Sequence, residues 1–173
     1  TDALLIPMMA YNIGPGDAVF TTPFTYVATA EVISLLGATP IFVDIYDSTF
    51  NIDCEKLELA IQDVISDGKL NPKAIIPVDL FGVPARYRVI DQLAKKYNLK
   101  IIEDAAQSFG AKIGDKKAGS FGDVAATSFY PAKPLGCYGD GGAIFTNDSE
   151  LADKCRAIRI HGTSSDKYNS EFI

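Results

Sequence analysis

Apolar and polar positions along the chain follow two rhythms. Short, nearly continuous apolar runs alternate with segments whose apolar residues recur every three or four positions. The first rhythm suits strands buried on both faces, the second suits helices with one packed stripe. Asp2–Tyr11 reads as an apolar helix, and Gly14-Pro15-Gly16-Asp17 forces a turn after it. Strands are predicted at Ala18–Thr22, Pro40–Asp44, Ala74–Asp79, Leu99–Glu103, Val124–Phe129 and Ala143–Phe145. Helices are predicted at Tyr26–Leu36, stopped by Gly37, and at Asp53–Ile65, Arg86–Tyr97 and Glu150–Ile160, with a short one from Ala105 onward. Asp53 is a candidate N-cap, with Leu57, Leu59, Ile61 and Val64 as the packed face of its helix. Val89, Ile90, Leu93 and Ala94 form the stripe of the next helix. Gly114-Asp115 signals a hairpin inside the Gly-rich connection 110–122.

Strands alternating with amphipathic helices imply an α/β domain with a mostly parallel sheet covered on both faces. In such sheets a ligand sits at the carboxyl ends of the strands. The residues to read are therefore Thr22–Thr25, Asp44, Asp79–Gly82, Asp104–Gln107 and Ser128–Lys133. Composition narrows the function classes. The 173 residues are 47% hydrophobic and 22% charged, which excludes a disordered chain. A net charge of −6 without a long basic run argues against nucleic acid or an anionic membrane as partner. No apolar run approaches the roughly 18 residues of a membrane span. Cys54, Cys137 and Cys155 are scattered, with no CxxC pair and only His161 to join them. That pattern speaks for reduced thiols in a cytoplasmic protein rather than a metal site. The chain starts at Thr1 without an initiator Met and stops at Phe172-Ile173 without a closing element, so 1–173 is expected to be a piece truncated at both ends.

Several constellations invite a chemical reading. Gly14-Pro15-Gly16 loosely resembles a dinucleotide fingerprint, but it follows a helix and precedes a strand, the reverse of what that fingerprint requires. Cys155 with His161 could suggest a thiol catalyst, yet Cys155 falls in a Leu151-Cys155-Ile158 helical stripe and reads as core. Asp104 lies where a strand ends at the mouth of the sheet, either as an N-cap or as a functional carboxylate. Lys133 follows a buried strand, between Pro131 and Pro134 and ahead of a Gly-rich loop. Small and apolar neighbours would desolvate it, and a desolvated lysine is a Schiff-base nucleophile.

Five runs occur together and in order: Thr1-Asp2-Ala3-Leu4, Pro23–Thr29, Glu103-Asp104-Ala105-Ala106-Gln107, Gly119–Asp123 and Ser128–Lys133. Together they resemble the pyridoxal-phosphate-dependent nucleotide-sugar aminotransferases of the DegT/DnrJ/StrS family, across the whole chain. The resemblance implies the large domain of the aspartate-aminotransferase type (fold type I), with a C-terminal small domain lying outside this segment. It implies that Lys133 carries the cofactor as a Schiff base and that Asp104 pairs with the pyridine nitrogen. It likewise implies Gln107 near the ring hydroxyl and Tyr26 stacked on the ring. Ser128, Thr1 and Asp2 would hold the phosphate, the last two at a helix start.

The implied reaction moves an amino group from a donor such as glutamate, released as 2-oxoglutarate, to a nucleotide-linked keto-sugar, with Lys133 shuttling the proton. A homodimer with shared active sites is implied too, and a role in surface polysaccharide or lipopolysaccharide synthesis is compatible. Pro134 and Leu135–Asp140 lean toward the branch acting on UDP-linked 3-keto-N-acetylhexuronic acids, with 4-keto-sugars as the alternative. Two rivals are a dehydratase relative, which would replace the lysine with histidine, and a non-catalytic regulatory relative. The glycine that usually precedes Thr1 in the family is not present.

Overall fold

The computed structural model describes residues 1–163. The order of elements is α1 (Asp2–Ala10), β1 (Asp17–Thr21), α2 (Ala28–Leu35), β2 (Thr39–Phe42), α3 (Cys54–Asp67) and β3 (Asn71–Ile75). There follow a 3-10 turn (Leu80–Gly82), α4 (Tyr87–Tyr97), β4 (Lys100–Asp104), the hairpin β5 (Lys112–Ile113) and β6 (Lys116–Lys117), β7 (Val124–Ser128), β8 (Gly142–Phe145) and α5 (Ser149–Arg159).

Six strands form one sheet in the order β2-β1-β3-β4-β7-β8. Every pairing in it is parallel except β7 with β8. After β1 the chain moves outward to β2, then crosses back to lay β3 on the other side of β1. Connections diverge at that switch and leave a crevice beyond the strand ends.

Side chains alternate across the sheet. Ala18, Phe20, Ile75 and Ile101 enter one core with Leu57, Ile61, Ile90 and Leu93 of α3 and α4. Val19, Ala74, Ile76 and Ile102 enter the other core with Leu4, Met8, Val32, Ile33, Leu151 and Cys155 of α1, α2 and α5. Burial on both faces is why these strands read as unbroken apolar runs. Asp53 caps α3 by accepting from the amides of Glu55 and Lys56, and Gly68, at φ 66°, ends that helix in the left-handed region. The hairpin falls on Gly114-Asp115 as expected.

Three local expectations fail for identifiable reasons. The third strand ends at Ile75 rather than Asp79, because Pro77 has no N–H for the ladder. Pairing resumes only as the single bridge Val78–Asp104. No helix starts at Ala105: its amide is already bonded to the Ala126 carbonyl of β7, so the chain turns instead. Leu59 is exposed, being on the far side of α3 from Leu57 and Ile61. No helix among the described residues is long and apolar enough to cross a membrane. The expectation about Phe172-Ile173 lies outside the described residues.

Candidate active site

The crevice at the strand ends opens into a basin of about 1750 Å³. Thr1, Asp2, Tyr26, Asp104, Gln107, Ser128 and Lys133 all line it. Four separate segments, the start of α1 and the ends of β1, β4 and β7, thus bring the sequence candidates to one place. Asp44 does not join them: it lies in the open and pairs with Lys56 at 2.6 Å.

Asp104 ends β4 and is buried. Its Oδ2 accepts from the Thr29 hydroxyl at 2.8 Å, and its Oδ1 accepts from the Ala106 amide at 3.1 Å. Burial pushes its pKa up, while those two donors and the charge of Lys133 pull the other way. A buried acid whose direct donors are both neutral favours a cation beside it. Asp104 also serves the turn through the Ala106 bond, but without opening a helix, so the N-cap alternative does not hold.

Thr29 was not legible as a site residue. It is fully buried on α2, one turn beyond Thr25, and the two hydroxyls are 3.0 Å apart. Because Thr29 donates to Asp104, Thr25 must be the donor between them. The usable signal was the Thr25…Thr29 spacing across the start of α2, which lets the two hydroxyls meet.

Gln107 Oε1 accepts from the Phe81 amide at 2.7 Å, which leaves the NH2 group of its amide to face the basin. Tyr26 is two-thirds exposed (67%), and the Lys133 Nζ lies 5.9 Å from its ring centre. Thr1 occupies the position before α1, where its carbonyl accepts from the Leu4 and Leu5 amides and its hydroxyl caps nothing. The amides of Asp2 and Ala3 have no partner inside the helix and point out of its start. Ser128 Oγ accepts from the Tyr130 amide at 3.2 Å.

Lys133 sits in a turn closed by its own amide on the Tyr130 carbonyl at 2.8 Å. The turn folds back tightly: a Cβ at Gly136 would come within 2.6 Å of the Pro131 carbonyl oxygen. The lysine is only partly buried, not desolvated as its neighbours suggested. Pro131, Ala132, Pro134 and Leu135 are themselves exposed, and the basin is open on that side. Cys155 is in the core, and Gly14–Gly16 is a plain turn.

The basin thus holds a buried acid, an amine across from it, an aromatic wall and a helix start with unpartnered amides, a set able to receive an anionic, ring-bearing ligand. The chain belongs to the DegT/DnrJ/EryC1/StrS aminotransferase family, whose model matches residues 1–173. It is 55% identical over 162 residues to the UDP-2-acetamido-2-deoxy-3-oxo-D-glucuronate aminotransferase of Pseudomonas aeruginosa, covering 94% of this chain and 43% of that protein. A DegT/DnrJ/EryC1/StrS aminotransferase from Brucella abortus superposes with a TM-score of 0.98 at 56% identity, covering 99% of this chain and 46% of the other. The NtdA structure from Bacillus subtilis, with bound pyridoxamine-phosphate cofactor, matches at TM-score 0.87 and 37% identity, covering 99% and 37%. The chain therefore spans less than half the length of these relatives.

Proposed function

We propose that the full-length protein is a pyridoxal-phosphate-dependent aminotransferase that passes an amino group from glutamate to a nucleotide-linked keto-sugar. The observation that carries this is Asp104, buried on the basin floor with neutral donors and facing the Lys133 side of the crevice. A protonated pyridine nitrogen supplies the cation that such an acid favours, so the residues present fit the cofactor. Bound there, the cofactor supplies a ring that takes up the electrons released when a C–H bond of the substrate is broken.

The chain's own residues do the rest. Asp104 keeps the ring nitrogen protonated. Gln107 offers its NH2 group to the ring hydroxyl, because its oxygen is taken by Phe81. Tyr26 would cover the ring. The Asp2 and Ala3 amides with the hydroxyls of Thr1 and Ser128 would hold the phosphate at the start of α1. Lys133 would anchor the cofactor through its amine, and the same amine would serve as the base that holds and moves a proton at the basin.

The P. aeruginosa relative's name favours a UDP-linked 3-oxo-hexuronate as acceptor, and the relatives' names support a role in amino-sugar or polysaccharide synthesis. A cytoplasmic homodimer, with a C-terminal small domain completing each site, is part of this reading. The retained Lys133 speaks against the dehydratase rival. Full-length protein loaded with pyridoxal phosphate is expected to show a visible band. Borohydride should bleach it and leave the cofactor mass on the peptide carrying Lys133. Glutamate should bleach it reversibly, and a panel of keto-sugar nucleotides should then restore the colour. A band that survives Lys133→Ala unchanged would overturn the anchoring role.

A further inference from the structure

We propose that Asp79 and Glu103 form a buried carboxyl pair holding one proton between them, and that this pair positions Gln107 and the turn after Asp104 at the crevice. The hydrogen bonds that tie each carboxyl to its surroundings stand on geometry. Only the consequence for the cofactor rests on the function proposed above.

Both side chains are fully buried, and Glu103 points to the opposite sheet face from Asp104. Asp79 Oδ1 accepts from the Ala85 amide at 3.0 Å and the Tyr87 hydroxyl at 2.8 Å, and its Oδ2 from the Ser108 hydroxyl at 3.0 Å. Glu103 accepts from the amides of Gly119 at 2.6 Å and Phe121 at 2.7 Å. Tyr87, which donates to Asp79, stacks on Phe121, whose amide donates to Glu103, so the two buried carboxyls adjoin, and the inferred bond runs between them. Carboxylates only accept, so that bond needs a proton on one of them. Donor supply assigns it to Glu103: Asp79 then receives four donors and stays ionised, and Glu103 gives one.

Burial raises both pKa values, and contact with Asp79 helps to bring Glu103 to about 8. Among the described residues no cation bonds either carboxyl in place of the proton. From α4 comes Tyr87, held neutral by burial and by the carboxyls around it, and stacked on Phe121 at 4.4 Å. From β4 comes Asp104, a third acid. From β6 comes Lys116, whose ammonium lies over the Phe121 ring, 5.1 Å from its centre, and does not bond either carboxyl.

Three connections meet on this pair. Asp79 ties its own segment at Ala85 and Tyr87, and ties the turn after Asp104 at Ser108. Glu103 ties the Gly119–Phe121 turn. Gln107 is thereby held from both sides. Its neighbour Ser108 is bonded to Asp79, and its oxygen receives the amide of Phe81, two residues past Asp79. Phe81 is in the left-handed region at φ 56°, which a bulky residue keeps only when its surroundings hold it there. Losing the shared proton leaves two negative charges in contact without water, and the Ser108 tie and the Gly119–Phe121 turn loosen together.

The sign follows from proton counting. The folded protein keeps the Glu103 proton up to about pH 8, whereas the unfolded chain releases it in the ordinary glutamate range. Stability therefore falls as pH rises across that window and levels off above it. Glu103→Gln keeps a donor toward Asp79 and has nothing to release. In full-length protein, amide exchange at Ser108, Gly119 and Phe121 should lose about tenfold protection per pH unit between the ordinary glutamate range and about pH 8 and level off above it, after correction for intrinsic rates, and the affinity for pyridoxal phosphate should fall in parallel. In Glu103→Gln both profiles should be flat. If that variant does not fold, Asp79→Asn should move the loss to lower pH, because Glu103 then ionises without a charged neighbour.

Identical protection profiles in wild type and Glu103→Gln would overturn the shared proton. Protection that differs while the affinity profiles coincide would overturn the positioning of Gln107. Protection that behaves as expected in a protein with no cofactor affinity at any pH would leave the pair standing and defeat the cofactor reading instead.

Discussion

Asp104 and Glu103 are adjacent in sequence and alike in chemistry, yet the strand sends them to different tasks. Asp104 faces the basin under neutral donors, and Glu103 faces the other core and shares its proton with Asp79. Thr29 decides how the first of these behaves. Thr29→Val removes the donor to Oδ2 and leaves burial to push the acid further toward its neutral form. Pyridoxal phosphate affinity should fall about tenfold, the scale of one hydrogen bond to a charged group, about 1.4 kcal/mol. Thr29→Ser should restore most of it, and absorbance titration of the full-length protein checks both. An unchanged affinity in the valine variant would detach Thr29 from the site. Among the site residues, Lys133, Asp104, Tyr26, Ser128 and Gln107 were legible because they fall in strand-end motifs. Thr29 was not, because its role depends on an acid 75 positions away in the chain.

At the scale of elements, caps and close approaches set what can be changed. Asp53→Ala should lower stability by ~1 kcal/mol through loss of the α3 cap, seen as a lower melting midpoint with the Lys133 band intact. Gly122→Ala should do far more. Gly122 is at φ 67°, and a Cβ there would come within 2.5 Å of Ile101 Cγ2, in the core under β4. Backbone strain and core clash add, so several kcal/mol and a poorly folded protein are expected, measured by denaturant unfolding. Element types were readable from rhythm, since β1, β4 and β7 are apolar on both faces and α4 has one clear stripe. Boundaries failed where a hydrogen bond elsewhere took precedence: at Pro77, which breaks a ladder, and at Ala105, whose amide is spent on β7.

At the scale of the whole molecule, the chain matches 43% of its P. aeruginosa relative and 46% of the B. abortus one. The basin is open on the Lys133 side, where Pro131, Ala132, Pro134 and Leu135 are exposed. Full-length protein is expected to run at twice its monomer mass in light scattering, and a monomer mass would remove the homodimer from the proposed function. The surface ion pairs contribute little to this. Pairs such as Lys56–Asp44 and Lys154–Glu150 join exposed groups screened by water, so breaking either should leave the melting midpoint nearly unchanged.

The sequence by itself determined the α/β class, the alternation of elements and the group of strand-end residues, because hydrophobic period and turn chemistry act over a few residues. The family likeness rested on five short runs and their order. Tertiary structure alone decided which side chains meet. It joined Thr29 to Asp104, Phe81 to Gln107 and Ser108 to Asp79, and it left Asp44 outside and Lys133 half-open. Those outcomes depend on strand order and on how connections cross at the switch between β1 and β3, and no local pattern encodes the distance between two segments that only the sheet brings together.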